Sequence, residues 1–321
     1  MSNKKKVMTS GGVEVRQKPL GLRIWNNRGY YIMFIPVLAF LIIMHYWPML
    51  GVRYAFYDYK PVGTPSPVGF THFQKMFSTP AFWTAFWNTL ELSIANLILT
   101  NVSAVVVSIF LNEMKNLLAK KTLQTVIYLP HFMSWAVVAS IFSLFLSPSS
   151  TGMVNGLLRE WGILGEADKN IYFLASTTWW RPIYWFIQIW KETGWGTIIY
   201  LATLSGINPE LYEAADIDGA SRMQKIRYVT LPALANTIIT VLILNLAKVM
   251  NLFESVFVLY NNAVYEVSDV IATYIYRQTF AIALPNYGYS TAVGLFRSLV
   301  GCILVLICNY ASKKVRGRGI V

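Results

Sequence analysis

Residues 30–52 read YYIMFIPVLAFLIIMHYWPMLGV and carry no acid, lysine or arginine between Arg28 and Arg53. A helix of that length, at 1.5 Å per residue, covers the ~30 Å hydrocarbon core of a bilayer. A soluble core helix has no need of so long a charge-free run. Five further runs follow at 92–111, 126–146, 183–204, 233–258 and 289–310. The last three contain charges: Lys191 and Glu192, Lys248 and Glu254, and Arg297. With 55% hydrophobic and 13% charged residues, the chain reads as an all-α polytopic membrane protein with six core spans.

The formal net charge of +12 belongs to topology rather than to nucleic acid. Seventeen of the 27 cations lie in four segments on one side of a six-span arrangement. These are the leader (Lys4, Lys5, Lys6, Arg16, Lys18, Arg23, Arg28), the loop with Lys115, Lys120 and Lys121, the insert with Arg222, Lys225 and Arg227, and the tail with Lys313, Lys314, Arg316 and Arg318. Seven sit on the other side. The positive-inside rule then puts both termini in the cytoplasm of a cell with an inner membrane. The expected organisation is a basic leader over 1–29, a membrane domain over 30–312 and a basic tail over 313–321. The first apolar run is too long for a signal-peptide core, so no cleaved signal is expected. Cys302 and Cys308 share the last run, point to different sides of one helix, and suggest neither a disulfide nor a metal site.

Three segments on the outer side, 57–85, 148–182 and 261–288, read as connectors or docking surface, the second with one short helix. On the inner side, the stretch GINPELYEAADIDGASRMQKIRYVTLP (206–232) is charge-dense between two apolar runs. Asn208 and Pro209 suit the start of a helix, and Gly219 suits its left-handed end. Ser221 can cap a second helix, and Leu231-Pro232 is expected to stop that helix before the fifth span. Glu210, Glu213 and Asp216 fall on one face. An amphipathic helix lying on anionic lipid is normally basic, so this acidic one points to a protein partner.

The insert resembles the EAA loop of the membrane subunits of binding-protein-dependent ABC importers. Glu213, Ala214, Ala215, Gly219, Leu231 and Pro232 match that pattern in register, with Val229 in place of its isoleucine. The flanking GWGTIIYLATLSGINPELYEAA and RYVTLPAL are similar to the carbohydrate-uptake branch. The opening of the first span is similar to the subgroup for complex oligosaccharides, which includes alginate importers. The resemblance implies a type I ABC importer permease fold. It implies that the loop, with Asp216, docks on a cytoplasmic ATPase dimer. A second similar permease, an extracytoplasmic binding protein and an oligosaccharide substrate, acidic or neutral, complete the system. ATP and Mg would be held by the partner ATPase, with no cofactor in this chain.

Charges inside spans are costly and usually face a cavity or a partner. Gln188, Lys191, Glu192 and Trp195 fall on one face of the fourth span. Asn245, Lys248, Asn251 and Ser255 form a polar stripe on a continuous fifth span, and Arg297 lies in the sixth. These are the candidate translocation residues, with Trp190 or Trp195 available to stack on sugar rings. The alternative is that Lys191, Glu192, Lys248 and Glu254 form interhelical ion pairs without touching substrate. The run TTWWRPIYWFIQIW reads as an aromatic belt at the outer interface.

An enzyme is the competing class. No phosphate-binding G-x-x-x-x-G-K-[ST] loop, H-E-x-x-H or G-x-S-x-G is present, and His45, His72 and His131 are far apart. A passive channel would leave the insert unexplained.

Overall fold

The computed structural model describes residues 6–8, 14–16, 20–149, 152–165, 168–246 and 248–316. Lys4, Lys5, Lys18 and residues 317–321 of the expected leader and tail lie outside them. The chain divides into two units, Met1–Tyr54 and Ala55–Val321. The first holds an antiparallel ribbon, β1 (Lys6–Met8) with β2 (Glu14–Arg16), within the region read only as a basic leader. It also holds most of α1, the apolar helical run Arg28–Phe56.

The second unit is helical apart from a short antiparallel pair, Tyr57–Asp58 with Ser66–Pro67. Its long elements are α2 (Pro80–Glu113), α3 (Leu117–Tyr128), α4 (Trp135–Phe145) and α5 (Trp180–Leu204). After these come α6 (Pro209–Ile217), α7 (the continuous run Arg222–Leu246), α8 (Glu254–Leu259), α9 (Ile271–Phe280) and α10 (Tyr287–Arg316). Among the described residues α1, α2, α7 and α10 are long and apolar enough to cross a membrane as single helices. The 25 residues of α5 extend roughly 37 Å, also enough to cross despite Lys191 and Glu192.

Two expected spans are not continuous. The run 126–146 bends by 102° between the segment Leu117–Phe132 and α4. Pro130 lacks an N–H, the chain tightens into a 3-10 turn over Leu129–Phe132, and Ser134 then caps α4 by accepting from the Val137 N–H. The run 233–258 also breaks. α7 ends at Leu246, a 3-10 turn covers Val249–Asn251, and α8 begins at Glu254. The Ser93 hydroxyl on α2 donates to the Val249 carbonyl at 2.7 Å and so satisfies one group freed by that break.

Two boundaries are corrected in the other direction. α2 begins twelve residues before the expected span. The added residues include Asn88, Thr89 and Glu91, which bind the connectors 148–182 and 261–288. Nor does Leu231-Pro232 end a helix. The chain passes through it by a π turn over Ile226–Thr230, in which the Leu231 N–H reaches the Ile226 carbonyl. The widened turn makes room for a proline ring that would strike the carbonyl four residues back in a regular α-helix.

α2 and α5 run parallel, packed through small and polar side chains. Ser103 meets Thr193 at 2.7 Å, and Tyr200 donates to Asn101 Oδ1 at 2.7 Å. A Cβ added at Gly196 would lie 2.8 Å from that of Ala104. Such close approach is how helices associate where lipid removes the usual hydrophobic drive. One apolar cluster joins α2, α4, α5 and α8 through Leu92, Val138, Trp180, Tyr184 and Val256. A second joins α2, α9 and α10 through Phe82, Ile271, Tyr274 and Val293.

The connectors 148–182 and 261–288 are built, not loose. Arg181 at the start of α5 donates to Glu91 at 2.6 Å, to Asn88 at 2.8 Å and to the Val267 carbonyl at 3.1 Å. Asp269, which pairs with Arg277, is pushed above the usual carboxylate range by burial, against the pull of its Thr273 hydrogen bond and of Arg277. The expected short helix of the second connector is Met153–Glu160. On it, Asn155 donates to the Ser147 and Ile171 carbonyls and accepts from the Ile171 N–H, at 2.9 to 3.1 Å. Asn155→Ala should strand those buried groups at about 1–3 kcal/mol each and open this connector. Faster protease cleavage between 148 and 172, with the membrane domain intact, is the expected result.

Candidate functional site

A cavity of about 760 Å³ lies among α2, α5, α7 and the two breaks. Asn96 and Thr100 border it from α2, Gln188, Glu192 and Trp195 from α5, and Asn245 from α7. His131 enters from the first break, and Lys248 and Asn251 from the second. Both interruptions of the expected spans therefore meet at one place. Irregular backbone at membrane depth is tolerated where it lines a cavity, and broken helices commonly mark the binding region of transporters.

The wall of α5 is held to the first break by a compact polar set. His131 Nδ1 lies within hydrogen-bond distance of Glu192 Oε2, at 3.1 Å, where an ionised Glu192 can only accept. Lys191 is 4% exposed and donates to the His131 carbonyl at 2.8 Å. Its ammonium lies 5.2 Å over the Trp135 ring and 3.9 Å from Glu192 Oε1. The imidazole stacks on Trp195, with centroids 4.9 Å apart and 12° between the planes. Gly194 lets the two segments meet, since a Cβ there would lie 2.3 Å from the Ile127 carbonyl oxygen.

The candidate pathway residues thus divide. Gln188, Glu192, Trp195, Asn245, Lys248 and Asn251 share the cavity. Lys191 does not border it, because the carbonyl freed at the first break draws its ammonium away. Arg297 does not border it either; it is half-buried on α10, and its Nε has no hydrogen-bond partner. Ser255 lies off the wall, bonded to Tyr184 at 2.9 Å. Of the four charges expected in interhelical ion pairs, only Glu192 reaches a partner on another segment, His131 at 3.1 Å; Lys191 lies 3.9 Å from its own neighbour Glu192, and Lys248 and Glu254 pair with no described residue.

Sequence reading overlooked the cavity's α2 wall, with Asn96 and Thr100, and His131 at the first break. Asn96 Oδ1 is buried without a partner at the cavity edge. For His131, Pro130 beside it and Ser134 after it are the signals of a break.

The insert folds as two helices with a joint. Asn208 Oδ1 accepts from the Glu210 N–H, and Pro209 occupies the first turn of α6. Gly219 adopts φ +72, and the Ala220 N–H closes back on the Ala215 carbonyl at 2.9 Å. Ser221 and Gln224 form a capping box at the start of α7. Lys225 meets Asp216 at 2.6 Å across the joint, and Arg222 meets Glu113 of α2 at 3.0 Å. Glu213 and Ala214 stay exposed, as do Leu231 and Pro232, while Ala215 is half-buried. Leu211, Ile217, Met223 and Tyr228 add exposed apolar surface, Ile217 at 87%. Because α6 joins α5 to α7, it connects two walls of the cavity directly.

The family model described as "Binding-protein-dependent transport system inner membrane component" matches residues 104–317. The chain belongs to that family. The permease is similar to Protein LplB of Bacillus subtilis (strain 168), 40% identical over 299 residues and 92% of each chain. It is also similar to the polygalacturonan/rhamnogalacturonan transport system permease protein YteP of the same organism, 38% identical over 95% of this chain and 94% of the relative. Among solved structures, a chain of a bacterial alginate ABC transporter, crystallised with an alginate pentasaccharide-bound periplasmic protein, superimposes with a TM-score of 0.85. It is 38% identical, and the match covers 94% of the permease and 100% of that chain. The permease is therefore a multi-pass inner-membrane component of a binding-protein-dependent system, all-α in fold, and not the ATPase of that system.

Proposed function

We propose that the permease forms half of the translocation pathway of an ATP-driven carbohydrate importer, and that its cargo is an acidic oligosaccharide. The cavity between the two breaks carries the reading. Its volume is within the ~300–1,000 Å³ usual for ligand sites. Carboxamides of Asn96, Gln188, Asn245 and Asn251 suit sugar hydroxyls, Trp195 suits a sugar face, and Lys248 suits a carboxylate. Alginate and polygalacturonan, named for two of its relatives, are both uronate polymers. Neutral oligosaccharides are the competing cargo.

In this reading the loop 206–232 lies in the cytoplasm, as do both termini. α6 seats on an ATPase dimer, with Glu213, Ala214, Ala215 and Asp216 at the contact and Leu211 and Ile217 supplying apolar grip. A second similar permease completes the pathway, and a binding protein delivers cargo from outside. ATP-driven closure of the ATPase moves α6, and α5 and α7 move with it. The walls then part toward the outside, and hydrolysis resets them.

Uptake of a labelled oligouronate by the reconstituted complex tests this. Lys248→Ala should raise its KM about tenfold, the scale of one charge-assisted contact, with co-purification of the complex unchanged. Unchanged uptake would remove Lys248 from the pathway. Loss of assembly would assign it a structural role instead.

A further inference from the structure

The cavity lining holds both a carboxylate, Glu192, and an ammonium, Lys248, which at first sight suits no anion. Glu192, left free to swing, would reach into the space that Lys248 serves and repel an acidic sugar. It is not free. His131 takes Glu192 Oε2 at 3.1 Å, and Lys191 faces Oε1 at 3.9 Å. His131 is itself fixed by its stack on Trp195 and by the 2.8 Å bond from Lys191 to its carbonyl. Lys248 has no ion-pair partner among the described residues.

We infer that His131 is a specificity-determining residue of the pathway: it tethers the Glu192 carboxylate to the first break and leaves Lys248 as the charge presented to cargo. The inference rests on the anionic-cargo reading for its benefit to transport, but its electrostatic core is independent of any sugar. Trp195 lines the cavity and is 50% exposed, so the residue that holds His131 is also available there. Nothing in the coupling mechanism requires this arrangement. A break could be closed by apolar contacts alone.

The test uses the assembled complex and reads the cavity with two quenchers. Trp195 emission, taken as the difference from a Trp195→Phe complex, is quenched by iodide, an anion, and by neutral acrylamide. His131→Phe keeps a stacking ring and removes the donor. The iodide-to-acrylamide ratio should then fall about threefold as Glu192 swings free. Adding Glu192→Gln to that variant should restore the ratio. His131→Asn keeps a donor near the Nδ1 position and loses the stack, and it should keep the ratio near that of the unsubstituted complex. A ratio unmoved by His131→Phe, or lost in His131→Asn, overturns the inference.

Uptake of an oligouronate and of a neutral oligosaccharide of equal length is measured on the same samples. If the ratio behaves as stated while only the neutral sugar enters, the tether stands and the acidic-cargo reading falls. If the oligouronate enters and the ratio does not move, the cargo reading stands and the tether falls.

Discussion

Gly219→Val is expected to abolish most ATP-driven uptake while leaving the permease inserted and stable. Gly219 sits at φ +72, where a β-branched residue pays about 1–3 kcal/mol. The closing bond from the Ala220 N–H to the Ala215 carbonyl depends on that conformation. Relief would come from redirecting the chain between α6 and α7, which also pulls on the Lys225–Asp216 and Arg222–Glu113 pairs. The surface presented to the ATPase then turns away from its groove. A penalty of ~2 kcal/mol against the seated geometry corresponds to a drop of about thirtyfold in productive engagement. Glu213→Lys should act at the same contact without backbone strain, by reversing an exposed charge. Loss of uptake together with reduced ATPase retention is the result to look for. Normal uptake and normal retention in both variants would mean that α6 is a passive connector.

The second large effect is expected at Gly194→Val, and of a different kind. The added Cβ would sit 2.3 Å from the Ile127 carbonyl oxygen, backbone that has no flexible end to yield. α5 and the segment before the first break would have to separate by an ångström or more. The Lys191 bond to the His131 carbonyl, the His131–Glu192 bond and the stack on Trp195 would go together. Overpacking alone costs about 1–3 kcal/mol, and a stranded buried lysine adds to it. The variant should therefore accumulate poorly in membranes and show a lower unfolding temperature in detergent, whereas Gly219→Val should not. Equal accumulation of Gly194→Val and the unsubstituted chain would show that the break is slack.

What could be read from the sequence follows from what a residue pattern encodes. Length and charge-free composition pointed to membrane-length helices, and the spacing from Glu213 to Pro232 carried the resemblance to the family that the comparisons then showed. Asn208, Gly219 and Ser221 act locally, so their capping roles were legible and the structure places them as expected. Hydropathy was blind to the breaks at 130–134 and 248–253. It averages over windows, and both segments keep enough apolar residues to read as continuous. The error carried into the site. Periodicity along an unbroken fifth span aligned Ser255 with Lys248, although a broken chain directs it into the core beside Tyr184. Lys191 misled for a related reason. A helical face predicts direction from the axis, but a lysine stem is long, and the His131 carbonyl, left free where the chain turns before Ser134, captured it. Pro232 failed in the opposite sense, because a π turn can absorb a proline that a regular helix would not.

The most direct test is ATP hydrolysis by the reconstituted complex, with its binding protein loaded in turn with an oligouronate and with a neutral oligosaccharide of the same length. Strong stimulation by the oligouronate, little by the neutral sugar, and loss of both responses in Gly219→Val are the predicted results. Stimulation by the neutral sugar alone would contradict the acidic-cargo account, and an undiminished response in Gly219→Val would contradict coupling through the loop.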